Sequence, residues 1–262
     1  MLDFFYDLPL IVTGLAILAA LFLFAILGLR FVRARVLPRM RIDVDDSEFS
    51  GALLQSVMVF YGLAVALIAV NVFQTYSDTS NVITGEATAI AALYRDVSNY
   101  PEPIRTRLQD EVSGYTRQVF EEAWPLQRQG KTPTAGVKFM NELQDILFAF
   151  EPATEGQKIV HGETLRMYND MIRARRLRVD AVSIALPGVM WFVIIAGAFI
   201  GLSASFFFKV EDFRLHAIQV LLLATFMGLV ILMVFALDRP FRGDVGLGSG
   251  PYELIYNQLM KR

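Results

Sequence analysis

The 262-residue chain is 55% apolar and carries 24 basic against 26 acidic side chains, for a formal net charge of −2. This balance gives no electrostatic basis for nucleic-acid binding. The sequence contains no cysteine, which excludes disulfide frameworks, thiolate nucleophiles and thiolate metal sites within it.

Four long segments contain no Asp, Glu, Lys or Arg: residues 8–29, 52–73, 181–208 and 215–237. At a rise of about 1.5 Å per residue, a helix of this length crosses a hydrocarbon core of roughly 30 Å. We therefore predict an all-α integral membrane protein with four transmembrane helices in two pairs, within 1–73 and 181–238. The first segment is too long for a signal peptide and follows no basic residue, so we expect it to be a membrane helix.

A polar block, residues 74–180, separates the two pairs and holds 28 of the chain's 50 charged side chains. Its composition favours helices, predicted over 86–99, 103–128 with a kink at Pro125, 134–150 and 153–180. Thr154 and Gln157 predict a capping box at the start of the last of these. No Gly or Pro lies between Gly162 and Pro187, so this helix is expected to continue into the third membrane helix. The block is thus predicted to be a helical extramembrane bundle, and residues 239–262 a C-terminal tail.

The second membrane helix carries a narrow face that is a candidate pore lining. Its residues recur at helical spacing and are small or polar, with one aromatic ring among them: Ala52, Ser56, Phe60, Ala64, Asn71 and Gln74. Such a face can line a pore that is closed by a hydrophobic constriction. Close packing against a neighbouring helix, the commoner use of small residues, stays open as the alternative. Because the four segments contain no Asp, Glu, Lys or Arg, a pump or ion-coupled transporter is disfavoured.

Gly197 and Gly201 in the third membrane helix have the small-xxx-small spacing of a helix–helix contact, which is a weak signal.

Four arginines precede the third membrane helix: Arg173, Arg175, Arg176 and Arg178. They are candidates for attracting anions to a pore mouth, because clustered like charges focus the local potential. Pairing with Asp170, Asp180 or headgroup phosphates is the alternative. Counting basic residues near the membrane segments does not decide the orientation of the chain, since the total depends on whether these arginines are included.

Metal and cofactor chemistry finds no support in the sequence. His161 and Glu163 lie close together, but the only other histidine is His216 in a different segment, which is not a ligand set. Nucleotide-binding glycine motifs are also missing. We expect no metal, no cofactor and no enzymatic activity.

The last membrane helix ends in a charged segment around Pro240, which cannot continue a helix. The segment contains Asp238, Arg239, Pro240, Phe241 and Asp244, and the simplest interpretation is a stop at the lipid headgroups.

The layout and short motifs of the chain nevertheless resemble those of the bestrophins, and more closely those of the bacterial bestrophin-like membrane proteins. The stretch Arg239-Pro240-Phe241-Arg242-Gly243-Asp244 is similar to the Asn-Pro-Phe-Gly-Glu-Asp segment of bestrophins. Val59-Phe60-Tyr61-Gly62-Leu63 resembles their pore helix, and Ser183-Ile184-Ala185-Leu186-Pro187 resembles the start of their third helix.

The resemblance implies a homo-oligomer, a pentamer in bestrophins, around a passive pore for small anions in a bacterial inner membrane. It implies that the second helix lines the pore, that Phe60 forms a constriction, and that the block 74–180 is cytoplasmic. The tail, through Asp238, Arg239, Pro240, Phe241 and Asp244, would then fold onto a neighbouring subunit. The acidic run that helps to bind calcium in animal bestrophins is missing after Asp244, so calcium gating is not implied. The alternative function is a membrane-anchored sensor or scaffold whose helical block binds a partner protein.

Overall fold

The computed structural model describes residues 6–39, 44–208 and 210–261, without the side chains of residues 44–50, 53 and 54. Every regular element in these ranges is helical. The helices are α1 (Leu10–Phe31), α2 (Val44–Val97), α3 (Ile104–Gln118), α4 (Trp124–Arg128), α5 (Gly136–Ala149), α6 (Glu155–Ala181), α7 (Gly188–Ser205), α8 (Phe213–Asp238) and α9 (Gly250–Ile255). Wider π-helical turns follow at Val32–Val36, Val119–Ala123 and Tyr256–Met260, and a 3₁₀ turn at Leu37–Arg39.

Four helical segments in the described residues are long and apolar enough to cross a membrane: Leu10–Arg39, Gln55–Val97, Gly188–Ser205 and Phe213–Asp238. The predicted fold class, an all-α membrane protein with four transmembrane helices, is confirmed.

The chain divides into two compact units. The membrane unit comprises Met1–Gln74 and Ala185–Asp238, and the bundle unit comprises Thr75–Ile184 and Arg239–Arg262. Helix α2 passes through both: its residues up to Gln74 belong to the membrane unit, and the rest belong to the bundle unit.

In the membrane unit, α1 packs closely on α8 through glycines. A Cβ atom on Gly14 would lie 2.8 Å from Leu232, and one on Gly228 would lie 2.6 Å from Leu18. The absence of a side chain at these positions lets the two backbones approach, as in many membrane helix pairs. Ala25 and Ala224 are also fully buried in this unit.

The bundle unit is built around the extramembrane part of α2 and helices α3, α5 and α6. Its core contains the fully buried Ile90 of α2, Leu108 and Val112 of α3, and Leu143 of α5. The capping box at the start of α6 is confirmed, because Thr154 Oγ1 accepts from the Gln157 N–H at 3.2 Å and the Gln157 side chain bonds back to Thr154.

Three boundaries differ from the sequence-based expectation. The second membrane helix and the predicted helix 86–99 form one continuous helix, α2. In the polar stretch between them, threonine hydroxyls find acceptors within the helix itself, as Thr79 does at the Thr75 carbonyl at 2.8 Å and Thr88 at the Thr84 carbonyl at 2.9 Å.

The second difference is that α6 does not continue into the third membrane helix. It ends at Ala181, and α7 starts only at Gly188. The Leu186 N–H, which a continuous helix would bond internally, donates instead to the Asp238 carboxylate at the end of α8. The third membrane helix is therefore shorter than the charge-free segment 181–208.

The third difference lies in the predicted helix 103–128. Its helical turns widen at Val119–Ala123, and α4 begins at Trp124 with Pro125 in its first turn. The disturbance thus precedes the proline, whose ring clashes with the carbonyl one turn earlier and which supplies no N–H.

Candidate pore helix and its anchors

Helix α2 has one side that packs within its own chain. The Tyr61 hydroxyl donates to the Ile194 carbonyl of α7 at 2.8 Å. A Cβ on Gly197 would lie 2.2 Å from the Tyr61 ring, and one on Gly201 would lie 2.7 Å from the Met58 sulfur. The two glycines of the small-xxx-small motif are therefore the surface on which α2 rests.

The candidate pore residues lie on another side of α2. At about 100° per residue around the helix axis, the six candidate residues between Ala52 and Gln74 fall within an arc of roughly 120°. The exposed members of this set are Ala52, Ser56, Phe60, Asn71 and Gln74, whereas Ala64 is half-buried. Phe60 is 73% exposed, and the Ser56 hydroxyl bonds to the Ala52 carbonyl at 3.0 Å.

Of the four membrane segments, that of α2 is the least covered by its own chain. In its most apolar stretch of 18 residues, only 11% of the residues are buried. The corresponding values are 22% for the segment of α1, 28% for α7 and 33% for α8. Large apolar side chains such as Val59, Leu63 and Leu67 are exposed beside Phe60. This helix thus offers a membrane-length surface to lipid, to other subunits or to a pore.

The C-terminal end of the membrane unit is held by a buried carboxylate. Asp238 is 4% exposed, and it accepts hydrogen bonds from the Tyr6 hydroxyl, the Leu186 N–H and the Trp191 indole N–H. It thereby joins the segment before α1, the start of α7 and the end of α8. These three neutral donors were not predicted from the sequence.

The tail that follows packs against the bundle unit of the same chain. Phe241 is 2% exposed and lies edge-to-face on Trp124, with ring centroids 5.5 Å apart. The Leu247 N–H donates to the Pro240 carbonyl at 2.8 Å, which closes a turn with Gly243 at φ +75°. The Phe241 side chain is thus enclosed within its own chain, and a contact between the tail and a neighbouring subunit stays a prediction. Arg239 is half-buried and Asp244 is exposed.

The bundle unit contains a buried ion pair that the sequence did not single out. Arg178 Nε lies 2.6 Å from Glu86 Oε2, and both side chains are at most 2% exposed. Around them, Tyr115 and Tyr252 donate their hydroxyls to Glu86 at 2.5 and 3.0 Å, and Arg178 donates to Gln127 at 2.8 Å. We call these five residues the Glu86 network; it joins α2, α3, α4, α6 and α9.

The surroundings of this network favour a charged Arg178 side chain and neutral tyrosine hydroxyls. Burial raises the pKa of both Tyr115 and Tyr252 well above the usual value, and the Glu86 carboxylate adds to the effect. Burial alone would lower the pKa of Arg178, but the adjacent Glu86 raises it overall. Arg178 is thus a buried, paired cation.

The other three arginines of the predicted anion-attracting group have different surroundings. Arg173 and Arg176 are exposed and Arg175 is half-buried. The four side chains therefore do not form a single solvent-facing cluster, because Arg178 points into the bundle.

Comparison with known proteins identifies the family. A model of the Bestrophin-like domain matches residues 11–252. The chain belongs to the bestrophin-like family. No curated protein matches this bestrophin-like chain in sequence.

The fold of this bestrophin-like protein is also found in solved structures. Two single-residue variants of a bacterial bestrophin homologue from Klebsiella pneumoniae each match with a TM-score of 0.73 and 11% identity. The matches cover 93% and 95% of this chain, and 96% and 99% of the homologue. A zinc-phased structure of the same homologue matches with a TM-score of 0.72 and 11% identity over 93% of this chain and 96% of that one. At this identity the likeness shows the fold.

Sequence reasoning missed Glu86 and Tyr252 as partners. Glu86 lies at the start of the predicted helix 86–99, where an acid is ordinary on a solvent-facing side. A usable signal was present, because Glu86 shares its helix face with Ile83, Ile90 and Leu93, all of which are buried.

Proposed function

We propose that this protein forms a homo-oligomeric, passive channel for small anions, with α2 lining a central pore. The observation that carries the proposal is the exposed side of α2, which runs the length of a membrane while the opposite side rests on α7. Family membership adds support, since bestrophins form pentameric anion pores. A pentamer is accordingly the expected assembly.

The chemistry of the exposed side suits passive conduction. Between Ala52 and Gln74 it carries no ionisable group, so ions crossing it meet no fixed charge. Phe60 is the one aromatic ring on the face and would form the constriction, with Ser56 and Ala52 one and two turns before it. The Asn71 and Gln74 amides carry N–H donors, which can replace part of the water shell of an anion.

Local positive charge near the end of α6 supports the choice of anions. We propose that Arg173, Arg175 and Arg176 raise the local anion concentration near one mouth, by long-range potential and not by direct contact. For Arg178, pairing with Glu86 favours a structural role.

The test of conduction is the current through purified protein in a planar bilayer under a KCl gradient. We expect a reversal potential near the chloride equilibrium value, and a change in conductance for Phe60→Ala because the variant removes the ring from the constriction. A reversal potential near that of potassium would overturn the anion assignment. Absence of current at high protein load would favour a sensor or scaffold.

The proposed location is the bacterial inner membrane, with the bundle unit in the cytoplasm. Labelling of a single introduced cysteine by an impermeant thiol reagent tests this, because the chain has no other cysteine. Lys131 is exposed and suits the substitution. Its neighbour Gly130 does not, since its φ of +72° would strain any other residue. Protection of Lys131→Cys in intact cells and labelling after lysis are expected.

A further inference from the structure

Two guanidinium groups converge on one aromatic ring in the membrane unit. The Cζ atoms of Arg30 and Arg33 lie 5.9 and 5.7 Å from the centroid of the Phe213 ring. Arg30 and Arg33 lie at the C-terminal end of α1, and Phe213 is the first residue of α8. Each cation is attracted to the ring face, but two like charges held this close repel each other.

No protein carboxylate neutralises these charges among the side chains that the structure describes. Within them, neither Arg30 nor Arg33 belongs to a salt bridge. Arg33 Nη2 donates to the backbone carbonyl of Glu211. Its Nη1 is buried and finds no hydrogen-bond acceptor in that part of the chain. A buried cationic donor without an acceptor is unfavourable, so an acceptor from outside the described part of the chain is expected there.

A cavity of about 380 Å³ lies in the same segment of the chain. Its walls include Val210, which directly precedes Glu211, and it combines the polar Ser205, His216 and Gln219 with apolar side chains. His216 is 2% exposed, and one ring nitrogen bonds to the Ser205 carbonyl at 3.0 Å. Mixed polar and apolar walls suit a molecule that is itself part polar and part apolar.

The position along the membrane helices identifies the source of the acceptor. Arg30 directly follows the charge-free segment 8–29, and Phe213 precedes the segment 215–237. Phe31 and Phe207 are exposed at these helix ends, as aromatic side chains commonly are at the membrane interface. Phospholipid phosphates lie at this depth.

We propose that Arg30 and Arg33 bind the phosphate group of an anionic phospholipid at this edge of the hydrocarbon core. Guanidinium forks match the geometry of phosphate oxygens, and both guanidinium groups lie at the end of the membrane helix α1. The phosphate supplies the acceptor for Arg33 Nη1 and lies between the two cations. The shared chemistry is a phosphate; the lipid is the source that the location favours.

The test measures lipid binding by the full-length protein, stripped of lipid in a neutral detergent. Thermal stabilisation is titrated with phosphatidylglycerol, with phosphatidylcholine of the same acyl chains, and with inorganic phosphate. We expect phosphatidylglycerol to stabilise at lower concentration than the other two. Replacing both side chains, Arg30→Gln with Arg33→Gln, should weaken this effect roughly tenfold or more, since charge-assisted hydrogen bonds are lost.

The matched control is Arg105→Gln with Arg107→Gln, which removes two exposed charges from α3 in the bundle unit and should leave the titration unchanged. If the double variant at α1 does not fold, Arg30→Gln alone serves, because it leaves the Arg33 bond to Glu211 in place. Stabilisation by inorganic phosphate with the same arginine dependence would support the phosphate site and make its source soluble. Equal binding of phosphatidylglycerol by wild type and the α1 variants, or an equal loss in the control, would overturn the proposal.

Discussion

Each unit of this protein is held together by one buried acid, but the two acids have different partners. In the bundle unit, Glu86 faces the cation Arg178 and two tyrosine hydroxyls. In the membrane unit, the donors to Asp238 among the described residues are neutral and come from Tyr6, Leu186 and Trp191.

The difference follows from what each acid has to connect. Glu86 bonds directly to side chains of three other helices of the bundle, α3, α6 and α9. Removing its carboxylate would leave the Arg178 charge buried without its partner. Asp238 sits at a helix end, where backbone and side-chain N–H and O–H groups are available as neutral partners. We therefore expect the two sites to respond differently to substitution.

The largest effect is expected for Glu86→Ala, which would leave Arg178 buried and unpaired. Breaking a buried pair in this way costs about 3–5 kcal/mol of stability. Thermal unfolding in detergent measures it, and the two tryptophans of the sequence report separately, since Trp124 lies in the bundle unit and Trp191 in the membrane unit. The loss should appear in the Trp124 signal of a Trp191→Phe background. The control Glu163→Ala breaks an exposed pair with Arg166 and should cost at most about 1 kcal/mol.

A smaller loss is expected for Asp238→Asn. The amide keeps one oxygen acceptor but places an NH₂ group among donors, which costs about 1–3 kcal/mol. The Trp191 signal of a Trp124→Phe background should show the change, because the Trp191 indole itself donates to Asp238. Asp145→Asn removes an exposed carboxylate and is the matched control. A loss at Asp238 as large as that at Glu86 would contradict the comparison between the two acids.

Packing in the membrane unit gives a third test. Gly197→Ala places a methyl group against the Tyr61 ring, and relieving that overlap should cost about 1–3 kcal/mol and weaken the bond between Tyr61 and Ile194. The comparison is Gly62→Ala, next to Tyr61 on helix α2, where a Cβ atom would have no other atom within 4 Å. It should be neutral or stabilising by up to about 1 kcal/mol, as expected for replacing a helical glycine. Equal losses in both variants would contradict a specific role for the contact between α2 and α7.

The smallest effect is a pH dependence in the bundle unit. Burial, followed by the neighbouring Glu142, raises the pKa of Glu111 above its ordinary value. Because the folded state holds this proton more tightly than the unfolded state, stability falls as pH rises from the ordinary to the raised pKa. Glu111→Gln should therefore raise the melting temperature slightly at neutral pH, and the gain should vanish under acidic conditions where Glu111 is protonated. A gain that persists at low pH would point to a cause other than charge.

Local patterns were sufficient for part of the fold. The four charge-free segments predicted the membrane helices, since hydrocarbon solvent leaves few alternatives for a chain of that composition. Thr154 and Gln157 act on each other within one turn, so their capping box was visible in the sequence. At the break over 182–187, Pro187 disfavours helical geometry at Leu186. The acceptor of the Leu186 N–H could not be predicted, because Asp238 lies 52 residues later in the sequence.

The sequence by itself determined the features that depend on solvent and on short-range geometry. These are the number of helices that cross the membrane, the boundary between apolar and charged segments, and the family that the segment around Pro240 indicates. The tertiary structure alone decided which polar side chains are buried. The sequence widely separates Glu86, Arg178 and Tyr252, and each of these polar side chains would also be stable if it were exposed to water. Only the packing of α2, α3, α6 and α9 removes them from water, and once removed they must pair with one another.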